Sequence, residues 1–191
     1  MYKERKPDIF ASIPFFFLTF ALAWALWVPV GVFAPDYLLL ASLPGVWAPT
    51  ASALLLTGLT DGKAGLRQFI ARLFKWRVGI QWYAVVLFGV AAIAYIAIGL
   101  HVILGGAVPP ITLPPGVPQE AWLVALPLIF LINIFVGGPL AEDVGWRGYA
   151  LPKLRAHTNA LNASLIIGVI WVLWHLPFFL FPQTASVVGG I

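Results

Sequence analysis

Apolar residues fall into five long runs, approximately Ile9 to Phe33, Tyr37 to Leu59, Trp82 to Leu104, Glu120 to Val136 and Leu161 to Phe181, with charge gathered between them. A bilayer core about 30 Å thick needs roughly 20 apolar residues in helix, because an unpaired backbone amide in hydrocarbon is too costly for open structure. The pattern predicts an all-α, polytopic transmembrane helical bundle of about five spans. The fourth run reaches spanning length only if its helix continues through the break at Gly137, Gly138 and Pro139 towards Glu142. Pro14, Pro29, Pro44, Pro49 and Pro127 are expected to kink their helices where neighbours re-satisfy the freed carbonyls. The first run exceeds the roughly 7–15 residues of a signal h-region and lacks a small-x-small cleavage site, so it reads as a retained span. With no internal repeat and no second domain, residues 1–191 read as a single membrane domain.

Composition strengthens this reading. Hydrophobic residues make up 61% of the chain and charged residues 9%, against about a quarter charged in a soluble domain. The net charge of +4 does not form a basic face or tail, so nucleic acid is not an expected partner. All eleven Lys and Arg lie in three places: the N-terminus (Lys3, Arg5, Lys6), the segment between runs two and three (Lys63, Arg67, Arg72, Lys75, Arg77), and the segment between runs four and five (Arg147, Lys153, Arg155). Five spans put these segments on one side, and the positive-inside rule makes that side, with the N-terminus, cytoplasmic. The expected location is a multi-pass integral membrane protein, in the plasma or inner membrane of a prokaryote, with lipids as its first partners. The segment from Gly62 to Trp82 interleaves cations with Leu66, Phe69, Ile70, Leu73, Phe74 and Trp76, as an interfacial helix or an ordinary basic loop would. The loop from Gly105 to Gln119 carries Pro109, Pro110, Pro114, Pro115 and Pro118, which predicts extended chain. The absence of cysteine excludes a disulfide framework, a thiolate metal site and a cysteine nucleophile.

Few residues are left to carry chemistry. Of seven acids, Glu4, Asp8, Asp36, Asp61 and Glu120 sit at the terminus or at span ends, whereas Glu142 and Asp143 directly follow Gly137-Gly138-Pro139-Leu140-Ala141 at the end of an apolar run. A charge at mid-membrane costs about 2.5–3.5 kcal/mol unless paired or wetted, so such residues point to function. If Pro139 opens a helix, both acids lie in its first turn, where the dipole favours carboxylates. Asp143 and Arg147 are then four apart and suited to an ion pair, while Glu142 points about 100° away and remains available. His175, in Trp171-Val172-Leu173-Trp174-His175-Leu176-Pro177, is the only ionisable group after Leu161. It reads either as a packed histidine donating to a backbone carbonyl or as the partner of Glu142, the pair holding a water or sharing a metal. His101, near the outer end of the third run, and His157, in a polar loop, read as bystanders.

The stretch from Gly137 to Leu154, with Glu142-Asp143-Val144-Gly145-Trp146-Arg147, and the later Trp171 to His175, resembles the CPBP intramembrane proteases (the CAAX protease and bacteriocin-processing, or Abi, family) related to the type II CAAX prenyl endopeptidases. The family motifs are Glu-Glu-x-x-x-Arg and aromatic-x-x-x-His. The resemblance implies an intramembrane endopeptidase in which Glu142 activates water, His175 binds that water or a metal, and Arg147 steadies the carboxylate pair. It implies zinc as cofactor, held in part by Glu142 and His175, and a membrane-anchored, prenylated or unprenylated peptide as substrate. Asp143 stands where the family usually has a second Glu, one methylene longer. The family's second histidine, followed four residues later by Asn or Asp, has no counterpart before Ile191, because His157 is followed by Leu161. The C-terminal spans of the family are therefore expected to be missing, or supplied by another chain. Two further classes compete: a non-enzymatic membrane module such as an immunity or assembly partner, and a proton-coupled transporter using the Glu and His as a relay.

Overall fold

The computed structural model describes residues 12–109, 118–136 and 138–181, and every regular element among them is helical. The N-terminal Lys3, Arg5 and Lys6, the start of the first run at Ile9, Pro110, Pro114, Pro115 and Gly137 lie outside the described residues. Helix α1 spans Ile13–Phe33. A 3-10 turn at Pro35–Tyr37 leads into α2, Leu38–Gly45, and α3 follows as Ala48–Leu73. Helix α4 is Ile80–Ile103 and α5 is Trp122–Val136. Two π-helical turns, Pro139–Asp143 and Trp146–Ala150, precede α6, Leu151–Arg155; then come α7, Ala160–Trp174, and α8, Leu176–Leu180.

Four stretches among the described residues are long and apolar enough to cross a bilayer: Ile13–Phe33, Leu40–Leu73, Ile80–Ile103 and Trp122–Arg155. The fifth expected span corresponds to α7, whose 15 residues extend about 22 Å, short of a bilayer core. The second run is not one continuous helix. It breaks between α2 and α3, and α3 passes through Gly62 at φ 65, ψ −164, a left-handed conformation that a β-carbon disfavours. The basic segment Lys63–Leu73 is therefore a helical piece with its own direction after that glycine. The prolines act unequally. Pro14 and Pro49 occupy first turns, where no amide is needed, whereas Pro29, Pro44 and Pro127 lie inside α1, α2 and α5.

The chain forms two compact units, Ala71–Pro127 and the remainder, Met1–Ile70 with Leu128–Ile191. The first of these is built on α4, which is apolar around its circumference apart from Gln81, Trp82 and Tyr83 at its start and Tyr95 and His101 further on. The second holds the core. The buried side of α1 is Phe15, Thr19, Ala23, Trp27 and Gly31, spaced four apart, and Gly31 admits the ring of Phe181, into which a β-carbon there would run. Trp27 lies against Trp174 with ring centroids 4.7 Å apart; Trp146 meets Trp174 edge-on at 5.7 Å, and Phe15 meets Trp146 at 90° and 5.5 Å. Such tilted and edge-to-face pairs add about 0.5–1.5 kcal/mol each beyond the area they bury. They matter more in lipid, where apolar burial alone gives helices no reason to associate.

The start of α3 docks on the residues just after Gly138. Thr50 donates its hydroxyl to the carbonyl of Leu140 at 2.9 Å. A β-carbon on Gly145 would stand 2.5 Å from the carbonyl carbon and oxygen of Pro49, so only glycine permits this approach. Gly145→Val is expected to destabilise the fold by about 1–3 kcal/mol through overpacking, measured by unfolding in detergent micelles. Gly58→Ala, whose added methyl meets nothing within 4 Å, should leave stability unchanged or raise it.

Candidate active site

The site begins where α5 stops. Gly138 departs from helix (φ −149, ψ −114), and Pro139 restarts the chain in the first π turn, as expected of a proline at the start of a helix. The Gly138 carbonyl accepts from the amides of both Ala141 and Glu142 at 3.0 Å. Two π turns so close together are unusual, and π turns within helices concentrate at functional sites because the extra residue per turn redirects side chains. Here they put Glu142, Asp143, Trp146 and Arg147 on the wall of one cavity of about 490 Å³. Ser164, Gly168 and Trp171 of α7 line it as well. The small residues at 164 and 168 leave room that larger side chains would fill.

Glu142 and Asp143 take different partners, as their positions predict. Asp143 pairs with Arg147 one turn on. Glu142 is half-buried, and its Oε2 accepts the indole N–H of Trp171 at 2.8 Å. A carboxylate accepts about four hydrogen bonds, so Trp171 leaves Glu142 most of its accepting capacity.

His175 is placed by a second interruption. Pro177 cannot continue the α7 hydrogen-bond ladder, so α7 ends at Trp174, and His175 (φ −80, ψ −2) forms the joint with α8. Its Nδ1 lies 2.9 Å from the carbonyl of Trp171, and its ring packs against Trp171 and Trp174 with centroids 4.3 Å and 4.7 Å away. The end of α7 is anchored in turn by Trp24 of α1, which donates its indole N–H to the carbonyl of Trp174 at 2.8 Å.

The structure thus gathers Glu142, Asp143 and Arg147 around one cavity, and places His175 next to it without lining it. No direct hydrogen bond joins Glu142 to His175; both are tied to Trp171, one through its side chain and one through its backbone. His157 is exposed after α6 and His101 lies at the end of α4, and neither lines the cavity. A catalytic zinc takes three protein ligands as a rule. Among the described residues no three of His, Asp and Glu converge, and Asp143 is already engaged by Arg147. The donor set among the described residues does not fit such an ion. The donors that the sequence reading missed are Trp171, Trp24 and Thr50. The available signal was that the aromatic residue four before His175 is a tryptophan, the one aromatic side chain with an N–H that can only donate.

A helical chain with apolar spans, a break at a Gly-Pro step and a carboxylate facing a cavity at that break defines a membrane protein with a buried polar site. Residues 124–191, which include all of that site, match the family model for type II CAAX prenyl endopeptidase Rce1-like proteins. CAAX prenyl protease 2 of Methanococcus maripaludis is 28% identical over 169 residues, which cover 85% of this chain and 60% of that relative. The chain therefore spans about 60% of the length of the curated relative it matches. Both similarities point to the Rce1-like type II CAAX prenyl endopeptidases, the relationship that the motif residues suggest.

The Asp143–Arg147 pair is open to solvent in the protein alone, with side chains 36% and 69% exposed. Exposed pairs contribute about 0–1 kcal/mol. Arg147→Gln should accordingly change unfolding stability in micelles by less than about 1 kcal/mol; a larger loss would mark the pair as a structural support of the break.

Proposed function

We propose that this chain is an intramembrane endopeptidase of the CAAX prenyl protease type, acting on a membrane-associated peptide at the cavity beside the Gly138–Pro139 break. The observation that carries the proposal is a carboxylate, Glu142, held by one oxygen in a cavity that admits water within an otherwise apolar stretch. A carboxylate so placed is costly to keep unless its charge or basicity is used.

In this reading Glu142 acts as general base. It takes a proton from a water as the water oxygen attacks the scissile carbonyl carbon, and returns that proton to the departing amine nitrogen as the C–N bond breaks. The Asp143–Arg147 pair, neutral overall, stands at the cavity wall and leaves Glu142 without an ion-pair partner of its own. His175, next to the site through Trp171, approaches the same water once substrate is bound, since catalytic hydrogen bonds often tighten only in the complex. A second reading, a membrane module that keeps the fold without cleaving, draws on one observation: His175 does not line the cavity.

The same proposal sets the orientation. Lys63, Arg67, Arg72, Lys75 and Arg77, together with Arg147, Lys153 and Arg155, belong on the cytoplasmic side, which puts Glu142 near the inner leaflet. Because the chain has no cysteine, single cysteines report topology cleanly. Lys75→Cys should resist a membrane-impermeant maleimide in intact cells while Gly105→Cys is labelled, and the reverse pattern would overturn the orientation.

For the chemistry, purified protein in nanodiscs is expected to cleave members of a membrane-peptide library. Glu142→Gln should lower the rate by about 10²–10⁴-fold, the usual contribution of a positioned general base. Cleavage indifferent to Glu142→Gln would remove the peptidase reading, and no cleavage by folded parent protein would favour the non-catalytic module.

A further inference from the structure

We propose that Trp171 is the positioning residue of this site: its indole N–H sets the orientation of the Glu142 carboxylate, and its backbone carbonyl sets the tautomer of His175. The proposal rests on the reading of Glu142 as the base, but the contacts it concerns are independent of whether the chain cleaves anything.

An indole nitrogen is a donor only, and a carboxylate oxygen is an acceptor, so the 2.8 Å contact between Trp171 Nε1 and Glu142 Oε2 has one direction. With Glu142 ionised, as a general base must be, the bond is charge-assisted and stronger than a neutral one. The carbonyl of Trp171 can only accept. With His175 Nδ1 2.9 Å away, a neutral imidazole carries its proton on Nδ1 and keeps its lone pair on Nε2. One residue therefore fixes which carboxylate oxygen is occupied and which imidazole nitrogen is free to accept.

The geometry is well supported around it. Trp171 lies on α7 one turn before the joint at His175, its ring packs against the imidazole at 4.3 Å, and it lines the cavity that Glu142 faces. Phenylalanine at 171 would keep the aromatic contact and lose the donor. The contact with Glu142 requires an N–H at this place, which aromatic packing by itself does not supply.

The test uses the full chain in micelles or nanodiscs, with tryptophan labelled by ¹⁵N at the indole nitrogen. The Trp171 resonance is assigned by its disappearance in Trp171→Phe and then followed in Glu142→Ala. A shift of that resonance, with the indole signals other than that of Trp146, which lines the same cavity, largely in place, supports the bond; a Trp171 signal unmoved by Glu142→Ala overturns the proposal whether or not the protein is a peptidase. Where cleavage is observed, Trp171→Phe should lower kcat about 10–100-fold, the value of one charge-assisted hydrogen bond, with KM little changed. An unchanged kcat would overturn the positioning role even if the bond exists. Loss of cleavage in Glu142→Gln with full activity in Trp171→Phe would leave the base in place and dismiss Trp171. An inactive parent with a responsive Trp171 signal would do the opposite: it would uphold the contact and remove the peptidase.

Discussion

The packing of Trp146 against Trp174 carries the arrangement of this site. The first belongs to the second π turn, just after Glu142 and Asp143; the second is the last residue of α7, one turn beyond Trp171 and next to His175. Their contact therefore sets the depth at which the acidic turn faces the indole and imidazole of α7. Trp27 and Phe15 of α1 extend the same cluster, and Trp24 adds a hydrogen bond to the carbonyl that α7 leaves open at its end. In a bilayer, where apolar contact with lipid competes evenly with apolar contact with protein, shape-matched aromatics and hydrogen bonds are what remain to choose one packing.

Two interruptions of helix make the chemistry possible. At Gly138 and Pro139 the chain leaves α5 and re-enters through π turns; at His175 it leaves α7 because Pro177 cannot follow. Irregular backbone at membrane depth is tolerated only where it is buried in protein or lines a wet cavity. Both breaks meet that condition in the unit formed by Met1–Ile70 and Leu128–Ile191, where the first lines the cavity and the second is packed among tryptophans. The family match and the geometry converge on one region, since the match over 124–191 covers the acidic turn and the Trp171 to His175 segment.

Charge division within the acidic turn follows from helical spacing alone. Asp143 and Arg147, four apart, satisfy each other, and Glu142, one residue earlier on the same cavity wall, takes the indole of Trp171 instead. The shorter Asp143 side chain still reaches the guanidinium, so the departure from a second glutamate keeps the ion pair. The same turn draws its rigidity from outside: Thr50 caps the Leu140 carbonyl, and Gly145 admits Pro49 of α3.

The sequence by itself determined the class, because long apolar runs with charge only between them have one stable solution in a bilayer, and it marked the Gly-Pro break, the acid pair and Arg147, because those follow from local spacing. It also exposed the kinship through the motif residues. It did not show that α7 stops at Trp174, that the second run breaks before Ala48, or that Trp171 rather than His175 is the hydrogen-bonding partner of Glu142. The reason is physical. In α1 the buried residues Phe15, Thr19, Ala23, Trp27 and Gly31 are no more apolar than those facing outward, so hydrophobic periodicity carries no information on which side of a membrane helix meets its neighbour. Only the tertiary packing of large aromatic side chains fixes the rotation of each helix, and with it which donor reaches which carboxylate.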